Sequence, residues 1–321
     1  MAEGTLAKLT RLWGNTVIPA YQANSILRLF PSDNIGDESV VSWAQQVIKD
    51  QAEAKLDLAN ADWSAGADKL DLEHLELKIY RVTKRLTMNR AEQKLFEKTG
   101  VLPLGLRDAG AKIGKKASYF FCQGPATGDA VPTSQYNYLR DAGSGSGSVS
   151  RPLMASSAGG KWNIAPNCMN AIATLAGQLE IHGYSVATSI VLWPRAAAAI
   201  LRRPIAATST TSYIGTTIRE LIMNQGFMGI ELVEDEWLYT AAGANPTADL
   251  FDIYAVDLSQ VRIGYTVPET SEVIEDKINK RFVFDFQVNF CPLFIPRYIM
   301  SESKYYKGVS RLTAIDTTST S

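Results

Sequence analysis

The stretch KWNIAPNCMNAIATLAGQLEIHGYSVATSIVLWPRAAAAILRR, residues 161–203, is the most regular part of this sequence. Its first half predicts a helix, because apolar residues recur there at steps of three and four and so share one face. Asn163 can cap that helix, Pro166 falls in its first turn, and Gly183 is a left-handed terminator. The residues of the apolar face are Ile164, Cys168, Ala171, Ile172, Leu175 and Leu179.

The second half of the stretch predicts a short strand and another helix. Residues 189–192, Ser-Ile-Val-Leu, form an apolar run of the kind that central strands use. A helix then starts at Pro194 and is stopped before Pro204. Because no residue in this helix, strand and helix is an obvious catalyst, the stretch indicates a scaffold.

Composition excludes several classes of protein. The 321 residues are 46% apolar, which is enough for one large core or two modest ones. The net charge of −1 predicts no global attraction to nucleic acid or to an acidic membrane. Three distant cysteines, Cys122, Cys168 and Cys291, favour core positions over a disulfide framework or a zinc site. Since no apolar run approaches a bilayer span, we expect a soluble, unexported protein.

The first 80 residues predict an arm and a long hairpin. Residues 1–35 combine a short amphipathic helix near Trp13 with an irregular region, and are predicted to form an arm. In residues 36–80, two strand-like stretches flank a polar tip that is rich in Ala and Asp. The alternation of the returning strand changes phase after Ile79, as at a bulge or at entry into a core sheet. An isolated hairpin is marginally stable, so we expect it to lie on another surface, such as a second subunit.

The remaining residues predict a mixture of helices and strands. Asn89 and Glu92 form a capping box for a helix that stops at Gly100 and Pro103. The Gly- and Ser-rich residues 124–160 predict a loop, in which GSGSGS lacks the Lys-Ser/Thr of a phosphate-binding loop. Further predicted elements are helices at 105–121 and 216–226, strands at 229–235, 250–257 and 260–268, and a strand that buries Phe282, Phe284, Phe286, Val288 and Phe290 on one face.

Titratable residues give no sign of an enzyme. His74 and His182 lack partners at metal-ligand spacing and are predicted to be structural. Glu234 and Glu236 are predicted to lie on the outside of a strand or loop, so no catalytic, cofactor-binding or metal-binding residue is proposed. One local concentration of basic charge fits a solvated face, intersubunit salt bridges or contact with nucleic acid. It consists of Arg81, Lys84, Arg85 and Arg90.

The order of these elements resembles the major capsid proteins of tailed phages, of the Hong Kong 97 type. Proteins of that family carry an N-terminal arm, an extended hairpin called the E-loop, a peripheral (P) domain with a long spine helix, and an axial (A) domain. The matching features are Trp162 shortly before the first quoted helix, HGY at residues 182–184, and SIVLWP at residues 189–194. The resemblance covers most of the chain and rests on a pattern of elements.

The resemblance implies an α+β fold of the Hong Kong 97-like capsid type. Residues 1–35 would be the N-terminal arm, 36–80 the E-loop, 81–204 the P domain with its spine helix at about 163–182, 205–265 the A domain, 266–311 the return to the P domain, and 312–321 a disordered tail.

The resemblance also implies a major capsid protein that self-assembles into an icosahedral shell around the double-stranded DNA of a tailed phage or virus. The implied partners are copies of the chain in pentamers and hexamers, DNA bound without sequence specificity, and portal, scaffolding or decoration proteins. Neither an enzyme activity nor a cofactor nor a membrane is implied, and the place is the virion capsid, assembled in the host cytoplasm. The candidate intersubunit contacts are Trp63, Arg81, Lys84, Arg85 and Arg90.

Two other hypotheses stay open. An encapsulin, a bacterial nanocompartment of the same fold that stores an enzyme cargo, would differ in its neighbouring genes. An α+β enzyme would be a monomer or dimer in solution.

Replacing residues 55–68 by a short Asn-Gly turn should leave a folded subunit but abolish or badly weaken shell formation. The tip carries one large aromatic, Trp63, which a hairpin cannot bury in its own core. Burial of that side chain on a neighbouring subunit would be worth about 2–3 kcal/mol at every contact. Circular dichroism and electron microscopy check the two outcomes; normal shells would refute the E-loop assignment, and an unfolded protein would place the stretch in the core.

Overall fold

The computed structural model describes residues 2–36, 40–47, 71–126, 129, 138–140, 151–154, 165–202, 204–207, 212–221, 223, 231–239, 250–266, 269–299 and 304–316. Contacts divide the chain into two compact units. Unit 1 comprises residues 1–41, 78–131 and 262–293, and unit 2 comprises residues 42–77, 132–261 and 294–321.

Helices and strands are mixed along the described chain, as expected for an α+β fold. The helices are α1 (Ala2–Asn24), α2 (Arg90–Thr99), α3 (Val101–Gln123), α4 (Ala165–Ile181), α5 (Ala198–Leu201) and α6 (Ile218–Leu221). The strands are β1 (Ser32–Asn34), β2 (Val40–Val47), β3 (Asp71–Lys78), β4 (Tyr80–Asn89), β5 (Arg151–Met154), β6 (Ser189–Pro194), β7 (Pro204–Ala207), β8 (Ser212–Thr217), β9 (Glu231–Asp235), β10 (Leu250–Asp257), β11 (Val261–Tyr265), β12 (Thr270–Asp276), β13 (Arg281–Phe294), β14 (Pro296–Ile299) and β15 (Lys304–Asp316).

Unit 1 is built on a five-stranded sheet. Its order is β1-β11-β13-β12, and β4 pairs with the opposite edge of β13. β13 is antiparallel to both β4 and β12, with Phe284 opposite Leu86 on one side and Val273 on the other. Side chains directly opposite each other on paired strands share a face. The alternation along β13 therefore determines which side chains of β4 and β12 lie on each face of the sheet.

The alternation along β13 buries one face of that sheet. The five apolar side chains predicted for this face are all buried, and Phe284, Phe286 and Phe290 are fully enclosed. The matching alternation of β4 begins at buried Tyr80, which confirms the apolar set predicted from Tyr80 onward. The side chains of β3 lie outside the described residues, so the change of phase itself stays a prediction.

The N-terminal helix α1 lies on this buried face and corrects a prediction. Trp13 contacts Phe284 at 5.3 Å between ring centroids, and its indole N–H donates to the Asp285 carbonyl at 3.0 Å. Further along the same helix, Tyr21 meets Phe286 at 5.8 Å. The assignment of residues 1–35 as an arm stays a prediction. The amphipathic helix predicted near Trp13 is present but continues to Asn24, so the irregular region predicted directly after it is wrong. Apolar side chains at four-residue steps hold this longer helix on unit 1. These side chains are Leu9, Trp13, Val17 and Tyr21.

Two glycines let α1 approach α3 closely. A Cβ at Gly110 would lie 2.4 Å from the Val17 carbonyl oxygen, and one at Gly114 would lie 2.7 Å from that of Tyr21. Only a residue without a side chain permits this backbone contact. Ser118, one turn further, accepts a hydrogen bond from the Ile26 N–H at 2.9 Å.

The predicted capping box opens α2. The Glu92 N–H donates to the Asn89 side chain at 2.8 Å, and the Asn89 N–H donates to the Glu92 carboxylate at 2.9 Å. Gly100, with φ of +68°, ends α2 as predicted. Pro103 does not stop that helix; it lies in the first turn of α3, where a missing N–H costs little.

Unit 2 contains a six-stranded sheet of order β14-β15-β10-β6-β9, with β5 paired to β15. β6 lies between β10 and β9 and is buried along its whole length, which confirms the central strand predicted at 189–192. The apolar face of α4 packs on β10 and β15 of this sheet. Gly183, with φ of +74°, ends the turn after α4, as predicted. Four predicted residues of that face are fully buried: Ala171, Ile172, Leu175 and Leu179.

Buried polar groups order the loops of unit 2. Asp257 is buried and accepts hydrogen bonds from the Ser185 N–H at 2.9 Å and the Thr188 hydroxyl at 2.7 Å, which fixes the turn after α4. Lys307, also buried, donates to the Tyr138 carbonyl at 2.6 Å. This bond holds residues 138–140, part of the predicted loop 124–160, against β15.

The two units divide the chain differently from the predicted domains. Residues 81–131 belong to unit 1, whereas 132–204, including α4, belong to unit 2 because the sheet of unit 2 covers the apolar face of α4. Within the predicted return at 266–311, β13 joins β4 as expected, but β14 and β15 pair in unit 2. The domain names themselves stay predictions.

The structure also tests the predicted hairpin strands and the predicted disorder of the C-terminal residues. β2 and β3 form a two-stranded sheet, which confirms the strands of the hairpin, while its tip with Trp63 lies outside the described residues. Disorder from residue 312 is wrong, because β15 continues to Asp316 in register with Leu250 and buries Leu312.

Gly110→Ala should destabilise unit 1, because the added methyl would collide with the Val17 carbonyl oxygen of α1. Overpacking of this kind costs about 1–3 kcal/mol. Gly105→Ala in the same helix is the matched control, since nothing lies within 4 Å of its added methyl, and Ala is favoured over Gly in a helix by about 0.5–1 kcal/mol. Urea unfolding measures both; equal midpoints for the two variants would contradict the close contact of α1 with α3.

Acid should weaken the β12–β13 turn through Asp276. Hydrogen bonds from the Asn279 side chain and N–H and from Arg281 lower the pKa of Asp276 to about 2, against about 3.9 in an unfolded chain. Because the folded pKa is the lower one, the contribution is present above about pH 4 and is lost as the pH falls towards 2. In urea unfolding, the stability difference between wild type and Asp276→Asn should shrink over that range; a constant difference would argue against this role.

Candidate assembly surfaces

The carboxylates that could carry out acid–base chemistry have structural partners. Glu234 pairs with Arg202 at 3.6 Å and Arg219 at 3.4 Å, and Glu236 pairs with Arg195 at 3.6 Å. These carboxylates tie β9 and the following turn to nearby segments of unit 2. Their arginine partners give both carboxylates a structural explanation.

The two histidines differ in what the structure describes. His182 lies just after α4, where Nδ1 is 2.8 Å from the Gln178 carbonyl and the ring is 6.0 Å from that of Tyr306. His74 lies in β3, where side chains are outside the described part of the structure. Among the described residues, no group of three or more His, Cys, Asp or Glu side chains could hold a metal ion.

Cys122 and Cys291 are buried, as predicted, while the side chain of Cys168 is outside the described part. Burial raises the pKa of the Cys291 thiol to about 12. The thiol therefore stays protonated near neutral pH and is a poor nucleophile. No helix within the described ranges is long and apolar enough to cross a membrane.

The structure separates the basic residues that the sequence groups together. Arg81 and Arg85 lie on the exposed face of β4, whereas Lys84 lies on the opposite face, directly across from buried Phe286. Arg90 is the first residue of α2. Successive residues of a strand point to opposite faces, so closeness in sequence does not make these four side chains one surface.

The three arginines of this group have partners within their own chain. Arg85 donates to Asp285 at 3.0 Å, and this hydrogen bond raises the pKa of Arg85. Arg81 donates to the Asn289 side chain at 3.1 Å, and Arg90 pairs with Glu275. Lys84 makes no ion pair or hydrogen bond among the described residues. These contacts explain the three arginines without a neighbouring subunit. That the basic residues and Trp63 form contacts between subunits stays a prediction.

The exposed side of the unit 1 sheet has balanced charge. We call this side the outer face; on β4, β12 and β13 it carries three basic and three acidic side chains. The turn between β12 and β13 adds Ile278, which is 91% exposed, and Ile274 of β12 is half exposed. The charged residues of the outer face are Arg81, Arg85, Arg281, Glu272, Asp276 and Asp285.

The opposite side of unit 1 is formed by helices and is mainly basic, which sequence reasoning missed. We call the exposed side chains of α1, α2 and α3 the helical face. Lys8 of α1 and Lys94 of α2 line one cleft, together with Arg90, Gln93 and Glu97. Helical spacing disperses these residues along the sequence, so no run of basic residues marks the surface. Its charged residues are Lys8, Arg11, Arg90, Lys94, Lys98, Arg107, Lys112, Lys115, Lys116, Glu92, Glu97 and Asp108.

No protein-family model matches the chain, and no curated protein matches it in sequence. Solved structures do match. The capsid of Myoviridae phage XM1 has a TM-score of 0.59 and 13% identity, over 89% of this chain and 90% of that chain. The capsid of an empty GTA particle has a TM-score of 0.57 and 12% identity, over 91% and 96%.

A virus-like particle from Pyrococcus furiosus is similar over 94% of this chain and 98% of that chain, with a TM-score of 0.55 and 11% identity. At these identities the likeness concerns the fold, and it spans nearly the full length of each chain. The chain therefore has the Hong Kong 97-like capsid fold that the order of its elements predicts.

Proposed function

We propose that this chain is a major capsid protein that self-assembles into an icosahedral shell around double-stranded DNA. The observation that carries the proposal is the likeness of nearly the whole chain to subunits of closed shells, including the capsid of Myoviridae phage XM1. A likeness confined to one unit would leave room for another function. The match covers about nine-tenths of this chain and of each matched chain. This coverage favours a role for the chain as a complete shell subunit.

Features of the chain itself support a mechanical role. Trp13, Phe284 and Phe286 pack into the core of unit 1. Glu234 and Glu236 pair with arginines, and Cys122 and Cys291 are buried. The hairpin β2–β3 pairs only with itself among the described strands. Because a two-stranded hairpin is marginal alone, contact with another subunit would stabilise it, as expected of an E-loop. We propose no enzyme activity for this chain.

Within this proposal, the spine helix is better assigned to α3 than to residues 163–182. α3 has 23 residues, follows the hairpin and β4, and packs with β4 in unit 1. α4 is shorter, at 17 residues, and packs on the sheet of unit 2. Unit 1 then corresponds to the P domain and the sheet of unit 2 to the A domain.

The wider setting follows from the same proposal. Copies of the chain would form pentamers and hexamers in the virion capsid after assembly in the host cytoplasm. DNA would be enclosed without sequence preference. Portal, scaffolding or decoration proteins would be further partners.

An encapsulin shell that stores an enzyme cargo is the second candidate. The virus-like particle from Pyrococcus furiosus favours it, because its TM-score of 0.55 is close to those of the phage and GTA capsids. The contents of shells made in the native host discriminate the two. DNA inside favours the capsid, and a protein cargo favours the encapsulin.

Purified chain should form pentamers, hexamers or closed shells far larger than its 35.1 kDa monomer. The physical reason is that the two-stranded sheet β2–β3 is marginal alone and would be stabilised by contact with another copy of the chain. Sedimentation velocity over a range of protein and salt concentrations, followed by negative-stain microscopy, measures this. A stable monomer under all conditions would refute the proposal.

A further inference from the structure

We propose that the helical face of unit 1 is the surface that contacts packaged double-stranded DNA, through sequence-independent contacts to phosphates. The inference rests on the proposed capsid function and adds to it the side of the subunit that meets the DNA.

The charge of unit 1 is divided unequally between its two sides. Residues 2–24 and 90–123, which hold α1, α2 and α3, contain nine Lys or Arg and four Asp or Glu. The whole chain has a net charge of −1, so the rest of the chain is net acidic. The outer face is balanced, with three basic and three acidic side chains on β4, β12 and β13. A polyanion would therefore be attracted to one side of this unit only.

Most basic side chains of the helical face are not engaged by the protein itself. Lys112 pairs with Asp108 at 2.7 Å and Lys116 with Asp129 at 2.8 Å. Five others are exposed and make no ion pair or hydrogen bond within the described part of the chain. They are Lys8, Arg11, Lys94, Lys98 and Arg107. On the outer face, by contrast, Arg85 and Arg281 have carboxylate partners.

The free basic side chains are held on neighbouring rigid elements. Lys94 and Lys98 lie four residues apart and so on the same side of α2. Lys8 and Lys94 line one cleft together with Arg90, Glu97 and Glu275. The contacts of Gly110 and Gly114 hold α1 beside α3. Basic side chains presented by several packed helices would contact phosphates of a duplex without entering a groove.

The pattern favours DNA over a specific protein partner. Contacts to phosphate oxygens position a nucleic acid but carry no sequence information, which agrees with the expected lack of sequence preference. The free basic side chains are spread over three helices with no buried aromatic anchor among them, unlike the centre of a protein interface. Because the chain is not basic as a whole, this contact would be weak for each subunit and would gain strength by repetition in a shell.

The test compares two matched double variants. Lys94→Gln/Lys98→Gln removes two charges from the helical face. Lys277→Gln/Lys280→Gln removes two equally exposed charges from the β12–β13 turn of the same unit. Unassembled subunits are titrated with labelled linear double-stranded DNA of mixed sequence over a series of salt concentrations, with polyglutamate as a second probe.

The helical-face variant should bind DNA more weakly, and its slope of log affinity against log salt should fall by about 1 for each phosphate that the variant no longer neutralises. The turn variant should bind as wild type. Equal DNA binding by the two variants would overturn the inference, as would polyglutamate binding as tight as that of DNA. Sedimentation of the same proteins measures shell formation separately from DNA binding. If shells form but the two variants bind DNA equally, this inference is refuted and the proposed capsid function is not.

Discussion

The row of phenylalanine side chains along β13 is the constraint on which unit 1 depends. These side chains face α1 and α3, and the opposite residues of β4 and β12 share their face through the antiparallel register. Trp13 and Tyr21 of α1 pack on Phe284 and Phe286. Fully buried aromatic side chains dominate core energetics, so this seam joins the N-terminal helix to a strand near the other end of the chain.

The seam also determines what the N-terminal residues can do. A helix whose Trp13 is fully buried, and whose backbone touches α3 at Gly110 and Gly114, forms a layer of the subunit. In the proposed shell, the hairpin β2–β3 is the clearest surface for contacts between subunits. The rigid helical layer leaves its exposed side available, and that side carries most of the unpaired basic charge found among the described residues of the unit.

Unit 2 is stabilised in a different way. Its sheet is covered by α4, and buried polar groups order the turns at its edge. Arg311 donates to Asp252 at 3.0 and 2.7 Å, and Tyr254 donates to the same carboxylate at 3.1 Å. Removing one member of such a buried network lowers the stability of the fold. The same holds for the hydrogen bonds of Asp257 and Lys307. These buried, hydrogen-bonded groups would suit the mechanical role proposed for the subunit.

The sequence by itself determined the elements that depend on local periodicity. The strand β13, the capping box at Asn89, the terminator Gly183 and the central strand β6 were all predicted, because each is encoded by spacing or by one residue with a special backbone preference. The order of these elements was also enough to indicate the capsid fold. Only the tertiary structure decided which helix belongs to which sheet, since α4 and α3 both show apolar faces and the sequence does not say what covers them. It also decided that Arg81 and Lys84 lie on opposite faces, and that basic side chains distant in sequence share the helical face, because such surfaces exist only after the chain has packed.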